Sequence, residues 1–271
     1  MAKKIRLDGK WPMCAPLIMI CRNTVARGLG FVMVLAGCGS STGVTLVTDG
    51  PVALSGLSDE FDDSGSISDW LVRAQFEGDP PDGLVSIAGC QLLLRPSQDR
   101  YFLNGNRGLS LFKNIQSAGT PRFMFETHVT AVDPAAGGAP TETFHSAGLV
   151  IYPDVTRMSD WVVTNIGLQN GVLGFEDKST VNDNSVLTLY PTGQEFSGSV
   201  RLCVVDDVIT VFTRLDADPA WTERNNFTHV IGATIGAGVM INDYLAGTAE
   251  VEGRFNYVRF QGIDSVEDCR G

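Results

Sequence analysis

Acids separated by one residue occur at Glu60/Asp62, Asp216/Asp218 and Glu250/Glu252. On an extended strand residues i and i+2 share a face, so such a pair could set one carboxyl group as general acid and another as base or nucleophile. None of the three continues into a third acid in step. Glu60/Asp62 lies near the start of the patterned region, Asp216/Asp218 falls in a turn, and Glu250/Glu252 runs directly into Gly253 and Arg254. Each pair therefore reads as part of a solvated acidic rim. No Gly-x-Ser-x-Gly elbow, phosphate-binding loop or dinucleotide fingerprint is present, and His128, His145 and His229 are too scattered for a zinc site. The domain reads as non-catalytic.

A second group of residues suits recognition. A pyranose offers one apolar face and a ring of hydroxyls, so a site for it combines an aromatic platform with a few fixed polar groups. In Phe123 to Thr130, Glu126 and His128 alternate with apolar residues, and later segments contribute Tyr152, Trp161, Asn165 and Arg201. Were these strands neighbours, the six would converge on one outer face as a carbohydrate-binding site. Calcium takes six to eight oxygen ligands. Asp59, Asp62, Asp63 and Asp264 would supply some of them where the two ends of the domain meet, which makes calcium the one cofactor to consider. No EF-hand spacing is present.

The elements that must position these groups are strands. Period-two alternation or short buried runs span 84–94, 123–132, 147–152, 161–168, 186–190, 199–205, 208–215, 231–241 and 253–260, separated by Gly, Asn, Asp and Pro. No segment after the first forty residues holds a helical period for three turns. The fold class is all-β, an antiparallel β-sandwich, with Phe123, Phe125, Val129, Leu149, Ile151, Leu202, Val204, Val211 and Phe260 facing inward.

The segments at 59–70 ("DEFDDSGSISDW"), 123–130 ("FMFETHVT"), 146–154 ("SAGLVIYPD"), 160–168 ("DWVVTNIGL"), 199–221 and 255–262 ("FNYVRFQG") resemble successive strands of concanavalin A-like lectin/glucanase domains. More narrowly they are similar to a sandwich family related to the C-terminal module of β-xylosidases. The resemblance covers nearly all of residues 58–262. It implies a jelly roll with its first and last strands paired, Leu57 to Phe61 beside Tyr257 to Phe260. Asp59-Glu60-Phe61-Asp62 also resembles the start of laminarinase-type glucanases, whose signature is Glu-x-Asp-x-Glu; that pattern is absent. The family often has Ser-x-Asp-Gly-x-x-Trp before the turn that here holds Asp218 and Trp221, and this chain lacks the Ser and the Gly.

The amino-terminal region carries a different chemistry. The apolar run from Gly28 to Gly37 is far short of the roughly 20 residues that cross a bilayer, which fits the core of a signal peptide. It is preceded by Arg22 and Arg27 and followed by the small polar stretch Gly39-Ser40-Ser41-Thr42-Gly43. Leu35-Ala36-Gly37-Cys38 resembles the lipobox of bacterial lipoproteins, which implies acylation of Cys38 and, with Gly39 rather than aspartate next, an outer membrane location in the cell envelope. The expected organisation is a signal peptide at 1–37, a tether at 38–56 and the sandwich at 57–265. A start at Met19 would make a more compact leader.

Removing residues 1–37 takes away six basic residues and one acid from a chain of net charge −11, leaving the remainder five charges more negative. So acidic a surface argues against nucleic acid as a partner and leaves neutral glycans and the anchored membrane. Cys90, Cys203 and Cys269 remain once the leader's two cysteines and Cys38 are set aside. In an oxidising compartment Cys90 is expected to pair with Cys269, with Cys203 a packed thiol. The sequence leaves two alternatives to sugar binding: a structural or protein-interaction role, and a laminarinase-type hydrolase.

Overall fold

The computed structural model describes residues 46–47, 54–73, 83–96, 102, 108–117, 119–243 and 250–271. The chain divides into a unit Met1–Leu35 and a unit Ala36–Gly271, and the described residues all belong to the second. Cys38 and the tether up to residue 45 lie outside them. The strands are β1 (Leu46–Val47), β2 (Leu71–Val72), β3 (Gly83–Ala88), β4 (Gln91–Pro96), β5 (Leu109–Gln116), β6 (Arg122–Val132), β7 (His145–Tyr152) and β8 (Trp161–Gln169), then β9 (Val172–Val181), β10 (Asn184–Pro191), β11 (Ser197–Val205), β12 (Val208–Arg214), β13 (Thr222–Thr228), β14 (Thr234–Asp243), β15 (Glu252–Phe255) and β16 (Arg259–Gly262).

Among the described residues these strands build two eight-stranded sheets. Sheet I runs β1-β5-β14-β7-β8-β9-β10 with β2 also on β5, and sheet II runs β13-β12-β11-β6-β15-β4-β3 with β16 also on β6. Only β1 on β5 is parallel among them. The protein is thus an antiparallel β-sandwich. Its core is made by alternate residues of both sheets, and all nine inward-facing residues expected from the sequence lie in one buried cluster. Phe125 and Phe260 stack there with ring centroids 5.3 Å apart. Each such side chain adds about 1.5–3 kcal/mol when fully buried.

The ends of the domain meet as expected. Asp59 and Val258 exchange two backbone hydrogen bonds of 2.8 Å, and Phe260 N–H donates to the Ser58 hydroxyl.

Other expectations need correction. Residues 84–94 are a hairpin rather than one strand, because Gly89 and Cys90 both take φ of 60° and make the two-residue turn that positive φ at both positions permits. The segment 253–260 is split where Asn256 to Val258 turn aside to meet Asp59. Cys269 pairs with Cys203, not with Cys90. The Cys203 side chain lies opposite Met124, on the outer face of sheet II, where the 3-10 turn Val266–Arg270 crosses it. Cys90 is also disulfide-bonded.

Candidate functional site

The six residues expected to converge do not share a face. The chain passes from sheet II to sheet I between β6 and β7, so Glu126, His128 and Arg201 lie outside sheet II, whereas Tyr152, Trp161 and Asn165 lie outside sheet I. The first trio is engaged within the protein. Arg201 Nε donates to Glu126 at 2.8 Å, its Nη1 reaches the carbonyls of Cys269 and Gly271, and its guanidinium stacks 4.0 Å from the Trp221 ring centroid. His128 meets Asp216 through Nε2 at 2.9 Å and Asn256 through Nδ1 at 3.1 Å.

The outer face of sheet I has two halves. In one, Phe112, Val150, Tyr152, Trp161, Val163 and Met240 form a second apolar cluster together with Phe102. Trp161 and Tyr152 are fully buried there, so neither is an open platform. The Tyr152 hydroxyl meets Ser110 and Arg73, and Phe102 packs edge-on against Trp161 at 5.5 Å.

The other half is polar. Register sets Asn242 beside Ser146, Ser146 beside Gly167, and Asn165 between Gly148 and Glu176. Gln169 Nε2 donates to Asn165 Oδ1 at 2.6 Å, and Asn165 Nδ2 donates to Glu176 at 3.4 Å. Ser146 Oγ and Gln169 Oε1 are buried without a hydrogen-bond partner, a condition that costs about 1–3 kcal/mol per group. Two glycines make the close approach feasible. A Cβ on Gly148 would lie 2.0 Å from the Thr164 carbonyl and 2.8 Å from the Asn165 Cβ; one on Gly167 would lie 2.8 Å from the Ser146 Cβ.

Phe102 bridges the halves through its peptide. Its N–H donates to Asn242 Oδ1 at 2.8 Å and its carbonyl accepts from Lys178 Nζ at 2.6 Å, while that ammonium sits 5.3 Å from the Trp161 ring centroid. Burial pushes the Glu176 carboxyl up, only partly opposed by Lys178 and Asn165. Burial likewise lowers Lys178, opposed by Glu176. The face thus joins an aromatic wall, one acceptor-rich polar row and one carboxyl group whose charged form burial disfavours. Every one of these side chains is buried, so a hydroxylated ligand would reach them only by displacing what covers the face.

Ser146, Gln169, Glu176, Lys178 and Asn242 were not among the sequence candidates. One signal for them existed: Asn170-Gly171, the strongest short hairpin signal, follows Gln169, and with φ of 49° and 79° it turns β8 into the unpredicted β9.

The acid pairs are engaged elsewhere. Glu60 forms a double hydrogen bond with Arg259, and Asp216 meets His128. Glu252 lies between Arg95 and Arg254, each at 2.7 Å. Burial alone would raise the Glu252 carboxyl, but the hydrogen bonds from Arg254 and Arg95 outweigh it and hold it below its usual range. The acids considered for calcium do not assemble either. Asp59 accepts from Phe61 N–H, the Ser66 hydroxyl and Trp70 Nε1, and Asp63 caps the 3-10 turn Ser64–Asp69. Among the described residues no three His, Cys, Asp or Glu side chains gather as a metal would require.

No protein family matches the sequence, and no curated protein does either. Solved structures are similar in fold. A functionally unknown protein from Saccharomyces cerevisiae is 12% identical, with a TM-score of 0.56 over 73% of this chain and 99% of that one. The xylan β-1,4-xylosidase of Bacillus halodurans C-125 is 18% identical, with a TM-score of 0.57 over 75% of this chain and 38% of that one. A GH43 protein of Bacillus licheniformis is 11% identical, with a TM-score of 0.57 over 76% and 39%. The chain spans about two fifths of the length of these two bacterial proteins. At such identities the likeness carries the sandwich fold alone.

Proposed function

We propose that the protein is a non-catalytic, carbohydrate-binding sandwich of the concanavalin A-like class, held at the cell envelope by a lipid on Cys38. The observation that carries the sugar reading is the polar row Ser146–Asn165–Gln169 on the outer face of sheet I, which has two buried oxygens without partners and adjoins the Trp161 wall. Sugar hydroxyls both donate and accept, so they suit an unpartnered hydroxyl and an unpartnered amide carbonyl side by side. The Phe102 peptide already engages this face with one N–H, one carbonyl and a ring edge, the same three kinds of contact a pyranose would make.

The non-catalytic reading rests on the acids. Retaining and inverting glycosidases alike need two carboxyl groups flanking the bond, and Glu176 is the single acid among the described outward-facing residues of β7, β8, β9 and β14. The anchoring part rests on the sequence of residues 28–43.

The test is a glycan array followed by titration calorimetry with the full chain. Binding of a neutral oligosaccharide, lost in Asn165→Ala and in Gln169→Ala while folding is retained, is the expected result. An array without hits would favour the structural or protein-interaction reading. Hydrolysis of a β-glucan that disappears in Glu176→Gln would overturn the non-catalytic one. For the anchor, mass spectrometry of Cys38 should find the acyl group.

A further inference from the structure

Among the described strands β10 ends one side of sheet I, with β9 its one strand partner. It carries no charged side chain along its eight residues, Asn184 to Pro191, in a chain of net charge −11, and it exposes Val186 (66%) and Leu187 (46%) on its two faces. Edge strands that avoid association are shortened, bulged or charged. The register of β10 on β9 is unbroken from Asn184 to Pro191.

That register fixes which backbone groups face outward. Thr192 N–H donates to the Leu173 carbonyl, so by alternation along an antiparallel pair Tyr190, Thr188 and Val186 turn their N–H and C=O toward β9. Leu187 and Leu189 turn theirs to the open side.

We propose that this edge pairs with β10 of a second copy of the chain, antiparallel about a two-fold axis at Thr188. Leu187 of each copy then lies opposite Leu189 of the other, and their outward N–H and C=O groups make four backbone hydrogen bonds. The same register brings Leu187 against Leu189 on the outer face, and Val186 against Tyr190 with Thr188 against Thr188 on the other. These apolar, aromatic–β-branched and Thr–Thr pairings are the favourable cross-strand combinations. Pro191, which lacks an N–H, falls opposite Ser185 at the margin of this ladder and ends its run of donors there.

Self-complementarity singles out the second copy as occupant. About the axis at Thr188 the strand meets itself in reverse, so each outward backbone N–H finds a C=O, each apolar side chain finds an apolar one, and no charged side chain of β10 has to be desolvated. The opposite edge strand of sheet II, β13, carries Glu223 and Arg224.

Sedimentation of the full chain over a range of concentrations should give a dimer that dissociates on dilution. Leu187→Lys, at an exposed position, should sediment as a monomer and should melt at the parent's temperature when both are diluted to where the parent is itself monomeric. Thr188→Cys should form a covalent dimer under mild oxidation, because the axis makes it a close non-hydrogen-bonded pair of about 4.5 Å between Cα atoms, whereas Leu187→Cys should not. Without any substitution, the Leu187 and Leu189 amides should gain protection from hydrogen exchange as concentration rises. A monomer at every concentration, a dimer indifferent to Leu187→Lys, or amide protection independent of concentration would overturn the proposal.

Discussion

Asp177 is a residue at which pH acts directly on this fold. It lies on the inner side of β9, accepts from the Thr164 hydroxyl at 3.0 Å and leaves Oδ2 without a partner. Burial raises its pKa to about 7, against smaller opposing effects of Thr164 and Arg224. A folded-state value above the unfolded one means the folded chain holds that proton more tightly. The associated stability is complete below about pH 4 and is lost as pH rises through 7. The full effect is of the order of 4 kcal/mol. Thermal unfolding should therefore show a melting temperature that falls between pH 5 and pH 8, and Asp177→Asn should flatten that dependence. Asp177 gave no signal in the sequence, since an acid between Glu176 and Lys178 looks solvated until both of its neighbours' strands are known. The same ambiguity applied to Tyr152 and Trp161, which are correctly outward of the sheet but covered by Phe102 and Arg73. Trp161→Ala should cost about 3–5 kcal/mol, measured by denaturant unfolding, as a buried aromatic does.

Among elements, the β7–β8 pair is tightly constrained. Gly148 faces the Thr164 carbonyl so closely that a methyl group has no room. Gly148→Ala should separate the two strands locally and destabilise the protein by more than about 2 kcal/mol, with loss of any ligand affinity that depends on Asn165. Chemical denaturation and calorimetry measure the two effects. Strands whose alternation is apolar against polar were legible: β6, β7, β11 and β12 appear within two or three residues of their expected bounds. The strands missed carry polar groups where an apolar residue was expected. β9 buries Glu176, Asp177 and Lys178, β5 holds Lys113 against the Leu57 carbonyl and the Trp70 ring, and β13 is a polar edge. The candidate site was half legible for the same reason. Three of its members sit on readable strands, and the rest sit on β9 or at positions where outward polarity is ordinary.

For the whole molecule, the sandwich class follows from the number and spacing of strands, but the assignment of each strand to a sheet does not. That is why Glu126, His128 and Arg201 were grouped with residues on the opposite side of a two-layer core. The Cys203–Cys269 bond closes a separation of 66 residues, and loops of that size contribute about 2–5 kcal/mol when bridged. Cys203→Ser should lower stability by that amount and free the last residues from Arg201. Faster proteolysis and hydrogen exchange after residue 265 would report it. The meeting of Asp59 with Val258 has a mechanical consequence. Because Val258 leads directly into β16, and β16 is laid along β6 near the middle of its sheet, tension that has passed the two residues of β1 on the rim of sheet I and reached Asp59 is handed within a few bonds to the most widely supported strand of sheet II. Beyond that first short strand, a domain hung by its amino-terminal side would bear load by shearing its centre.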